Sequence, residues 1–79
     1  MEISLDRLPV GIPAVVTQLR CPPAFCRRLG DFGLVPGTKV MIRYRSPDRG
    51  VAAVELRGTV IALRSRDLRG VRVRWQRIR

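Results

Sequence analysis

Apolar and polar residues alternate along most of this chain, in short runs broken by glycine and proline. "KVMIRYR", Lys39 to Arg45, is the clearest run. It places Val40, Ile42 and Tyr44 on one face and Lys39, Met41, Arg43 and Arg45 on the other, the period of a half-buried strand. Ala14 to Arg20, "VAAVELR" from Val51, "TVIALR" from Thr59 and "VRVRWQRIR" from Val71 also read as strands. In the last of these Val71, Val73 and Trp75 share a face and Ile78 falls out of phase, so the strand is expected to bend or fray after Trp75. One stretch follows a different period. Phe25, Leu29 and Phe32 recur at i, i+4 and i+7, the stripe of a short helix, and Pro22 and Pro23 fit at its start, where no intrahelical N–H is needed.

The breaks between these runs carry as much information. Gly33 stands where a helix stops in a residue that tolerates positive φ, and Leu34 is placed to make the apolar return contact of such a cap. Gly30, inside so short a helix, costs about 1 kcal/mol relative to alanine and points to close approach by another segment. Pro36-Gly37 suits the central positions of a type II turn. "SPDRG", Ser46 to Gly50, reads as a hairpin loop, and Gly58 as a bulge or tight turn. "SRDLRG" reads as one helical turn with Ser65 as N-cap. Near the start, Leu5, Leu8 and Val10 surround a turn at Pro9 that the Asp6 side chain is expected to organise. Strand, helix, three strands, a short turn and a strand give an all-β class: a small β-barrel of about five strands, with the helix closing one end. Leu29, Phe32, Leu34 and Val40 are expected in its core.

With 79 residues, 46% of them apolar, residues 1–79 are expected to form a single domain with a small core. The acidic opening "MEISLDRLPVG" is unlike a secretory signal, and no uncharged run approaches the ~20 residues that span a bilayer. The expected location is the cytosol. Cys21 and Cys26 would lie roughly 8 Å apart if both were on the helix, too far for a relaxed bridge, so two reduced, partly buried thiols are expected. The net charge of +10 raises the question of nucleic acid, but the charges are spread along strands, and all but one of the sixteen basic residues are arginine. The aromatics number four, Phe25, Phe32, Tyr44 and Trp75, with two committed to the helix stripe, which is poor material for base stacking or a Pro-rich peptide groove.

No enzyme chemistry is legible. There is no histidine, no close carboxylate pair and no nucleophile beside a base. Asp31, Asp48, Glu55 and Asp67 are isolated in sequence, so no metal site and no cofactor are expected. Arg27 and Arg28 lie beside the apolar stripe near the helix end. Basic groups there favour the helix dipole by roughly 0.3–1 kcal/mol, and arginine is also enriched at interfaces. With Phe25 and Asp31 they are the candidate partner-binding residues.

"RRLGDFGLVPGTKV", Arg27 to Val40, resembles the signature of the ferrous iron transport protein A (FeoA) family. The matching residues are Arg28, Leu29, Asp31, Gly33, Leu34, Pro36, Gly37 and Val40, with Gly58 at the turn of "VELRGTVIALR". Leu5 to Leu19 and Asp67 to Val73 are similar to the family's opening and closing segments. "CPPAFC" and the basic tail "RWQRIR" depart from the pattern. The resemblance implies a cytosolic SH3-like barrel, accessory to or regulating the membrane ferrous iron transporter that carries a G-protein domain, and recruited by it to the inner face of the membrane. A chain beginning at Met1 favours that partner over the alternative, a basic nucleic-acid module or stand-alone relative of the C-terminal module of metal-dependent repressors. A homo-oligomer and charge-driven contact with nucleic acid or acidic lipid stay open, and no small-molecule substrate is implied.

Overall fold

The structure is a computed structural model and describes residues 1–75. Its strands are β1 (Glu2–Ser4), β2 (Ala14–Leu19), β3 (Lys39–Arg45), β4 (Val51–Leu56), β5 (Thr59–Arg64) and β6 (Val71–Arg74). A 3₁₀ turn (Leu5–Arg7) follows β1, helix α1 (Pro23–Asp31) joins β2 to β3, and a single turn α2 (Ser65–Leu68) joins β5 to β6. All pairs are antiparallel, in the order β1-β6-β2-β3-β4-β5. The sixth strand, β1, is the one the residue pattern did not announce. It is three residues long with one apolar side chain, too short to show a period, and it is held by pairing to β6 and by the Thr17 hydroxyl donating to Glu2 at 2.9 Å.

Alternation places one face of each central strand inside. Val40 and Ile42 of β3, Val54 and Leu56 of β4, and Val71 and Val73 of β6 are buried. Each fully buried side chain of this size stabilises by about 1.5–3 kcal/mol. The 3₁₀ turn seals one end with Leu5 and Leu8, and α2 contributes Leu68. Val10 stays exposed, and Asp6 makes no turn-organising bond; its buried Oδ1 has no partner among the described residues.

Two irregularities bend the sheet. Register shifts fall between Val16 and Gln18 in β2 and between Ile42 and Tyr44 in β3. The second reverses the phase of β3 at Arg43. Tyr44, expected inside with Val40 and Ile42, is exposed, and Arg45 turns inward to donate from Nη2 to the Leu8 carbonyl at 2.6 Å. A bulge of this kind is what strict alternation cannot foresee. Ser65 is likewise not an N-cap. It is the first helical residue, and its hydroxyl donates to the Arg49 carbonyl at 2.5 Å. The strand end at Ile78 lies outside the described residues.

The cysteines differ from expectation. Cys21 and Cys26 form a disulfide, with Cα atoms 5.7 Å apart. Only Cys26 is on α1. Pro22 is extended (φ −56°, ψ 144°), so Cys21 sits outside the helix and the chain folds back on itself. The 8 Å separation assumed both residues helical, and that assumption fails at Cys21 and Pro22.

Candidate docking surface

Helix α1 is fixed to the sheet at its C-terminal end. Leu29, 1% exposed, is its fully buried side chain. Leu34 N–H donates to the Leu29 carbonyl at 3.0 Å and Gly33 N–H to the Gly30 carbonyl at 2.9 Å, with Gly33 at φ 98°. This pair of bonds is the Schellman motif, and it returns Leu34 to the core. Thr38 N–H donates to the Val35 carbonyl at 3.1 Å across Pro36-Gly37, and Gly37 has φ 96°, so the turn is type II. The Thr38 hydroxyl, buried, donates to the Gly33 carbonyl at 2.8 Å and ties turn to cap. The segment is a rigid joint between helix and sheet.

What the joint presents outward is mixed apolar and basic. Arg27, Arg28 and Asp31 are exposed and form no ion pair among the described residues. Phe25 is half-exposed: it packs against the core and also lines a groove with Pro22 and Arg69. Phe32, expected in the core, is 50% exposed, because Leu34 returning through the cap fills the space under the helix end. Val35 is 37% exposed beside it. A groove of about 560 Å³ follows, bounded by Val35, Pro36, Gly37, Thr38, Lys39 and Arg57.

Arg57 is the residue the sequence did not single out. It occupies the β4–β5 turn with Gly58; their φ values of 52° and 76° make it a type I′ turn, so Gly58 marks a tight turn. A Cβ built on Gly33 would lie 3.3 Å from Arg57 Cδ and 3.7 Å from its Nη1. The arginine stem therefore covers the helix cap and holds its guanidinium near the negative end of α1. Its distance in sequence from Arg28 hid it. Gly30, in contrast, has space: an added Cβ would meet only Val35 Cγ1, at 3.7 Å, so no close approach requires it.

Among the described residues no three His, Cys, Asp or Glu side chains are grouped to hold a metal ion, and no helix is long and apolar enough to cross a membrane.

The FeoA domain family matches residues 3–74. The FeoA protein of Chlorobium tepidum is 32% identical, with a TM-score of 0.86, over 92% of this chain and 70% of that one. The FeoA of Stenotrophomonas maltophilia, solved with zinc and described as a procaryotic SH3 domain protein, is 30% identical with a TM-score of 0.79, over 91% of this chain and 89% of its own. A manganese-dependent transcriptional repressor is 16% identical with a TM-score of 0.85; the likeness covers 95% of this chain but 42% of the repressor, and it is one of fold. No match was found among curated proteins. The bent six-stranded sheet is thus an SH3-like fold, and with the family matched over nearly its whole length the chain belongs to the FeoA family.

Proposed function

We propose that this protein is an accessory or regulator of ferrous iron uptake that acts by docking, in the cytosol, on the membrane ferrous iron transporter carrying a G-protein domain. The observation that carries this reading is the outer face of the α1 joint. Phe32 and Val35 are exposed apolar groups on a rigid backbone, on the same joint as Arg27 and Arg28, which form no ion pair among the described residues, and Arg57 shares a groove with Val35. A small apolar centre with an arginine rim is the composition of a protein interface. Family membership supplies the link to iron uptake. The Stenotrophomonas maltophilia relative is itself described as a candidate ferrous iron transport activating factor. Docking changes the transporter only by favouring one of its conformations over another.

The test is a pull-down against the transporter's G-protein domain and the full-length transporter. Arg27→Glu with Arg28→Glu, both exposed, is expected to keep the fold and weaken capture about tenfold or more, the scale of reversing interface charge. Phe32→Ser is expected to do the same without changing charge. Unaltered capture by both variants places docking elsewhere.

A further inference from the structure

A second surface gathers arginines from four separate parts of the chain. Arg7 closes the 3₁₀ turn, Arg45 ends β3, Arg49 sits in the β3–β4 hairpin and Arg69 follows α2. With Asp6 and Ser65 they line one cleft of about 430 Å³. Four guanidinium groups against one carboxylate leave the cleft at +3, counting the charges of those six residues. None of the four arginines takes part in the ion pairs formed among the described residues, which join Arg43 to Glu55, Arg66 to Asp67 and Arg72 to Glu2.

The convergence is built by specific backbone features. The bulge at Arg43 turns Arg45 inward, where its bond to the Leu8 carbonyl fixes the guanidinium. Arg49 is held at φ 62°, a conformation costly for a side chain with a Cβ. Its N–H donates to the Ser46 carbonyl at 2.8 Å and its own carbonyl accepts the Ser65 hydroxyl. Burial, then the nearby Arg49 charge, pull the Arg45 pKa down, with Asp6 opposing them, so the charged guanidinium is held at a cost that a bound anion would offset.

We propose that this cleft is a phosphate-binding site for a small phosphorylated anion or a phospholipid headgroup. Guanidinium forks match phosphate oxygens in bidentate geometry, and a di-anionic group balances most of the +3. A neighbouring groove shares Arg7, Arg45 and Arg49 and adds Pro9, Val10 and Pro47. Val10 there is 51% exposed, so a headgroup bound in the cleft would bring an apolar tip to the bilayer interface.

The experiment titrates the whole protein with inorganic pyrophosphate by calorimetry, and separately with vesicles containing phosphatidylglycerol. Arg7→Gln with Arg49→Gln removes two charges from the cleft while leaving the Arg45 bond intact. Lys39→Gln with Arg74→Gln removes two charges from a different groove, lined also by Val15 and Trp75. Both variants are first shown to melt as the parent does. Binding of either probe that falls about tenfold or more in the cleft variant, and far less in the other, supports the site. The probe that binds identifies the source. Absence of binding to both probes, or equal losses in the two variants, overturns it. So does a preference for duplex DNA that both variants weaken equally, because that is the signature of net charge.

Discussion

Gly33 carries the helix cap twice over: its φ of 98° suits glycine, and its Cα lies under Leu56 and Arg57, each 3.3 Å from where a Cβ would be. Gly33→Val is expected to destabilise the protein by at least about 1 kcal/mol from backbone strain alone. Gly30→Ala, three residues earlier, is expected to stabilise by up to about 1 kcal/mol, since the added methyl meets only ordinary contact. Denaturant melts of the two variants check both signs together. Asp48 offers a pH test. Its carboxylate accepts the Ser46 hydroxyl at 2.6 Å and the Gly50 N–H at 2.9 Å, and these bonds hold its pKa below the usual carboxylate range. A folded pKa lower than the unfolded one gives stability that is present above the unfolded value and lost as pH falls through the folded one. Asp48→Asn should therefore melt below the parent near neutral pH, and the gap should narrow on acidification below about pH 4, the ordinary aspartate range. A gap independent of pH would remove the role given to the charge.

At the scale of elements, the disulfide ties the Cys21 end of the β2–α1 connection to the body of α1. Closing so short a loop stabilises by about 2 kcal/mol in the chain-entropy account. Reduction should lower the melting temperature by about 10 °C in a domain of this size, with the far-ultraviolet spectrum retained. An unchanged melt would show that the bridge adds nothing to the fold. The same scale shows what the sequence could and could not express. Gly33, Pro36-Gly37 and Gly58 were legible because few residues tolerate their backbone geometry, so each fixes a turn locally. The five longer strands were legible from alternation. Phe32, Tyr44 and Arg57 were misread or missed for one reason. Their positions depend on a cap that sends Leu34 inward, a bulge at Arg43, and a turn that lays an arginine over a distant glycine. None of these leaves a trace in periodicity. Cys21 and Cys26 were misjudged because Cys21 and Pro22 were counted as helix, which begins only at Pro23.

On the whole molecule, two basic surfaces of the described residues differ in what surrounds the charge. Around the α1 joint it rims exposed apolar groups, and around Arg45 it surrounds a cleft with little else. The first suits a protein partner and the second an anion, so salt should separate them. Raising ionic strength toward about 1 M shortens the screening length to about 3 Å and removes attraction due to net charge, while apolar contact survives. The most direct test of the docking account is capture of the full-length transporter by the wild-type protein across a salt series, with duplex DNA as the competing bait. The account predicts that the transporter is retained at high salt while DNA is lost, and that Arg27→Glu with Arg28→Glu weakens the retained fraction. Transporter and DNA released together as salt rises would contradict it, and would reduce the surface around α1 to a patch of unspecific charge.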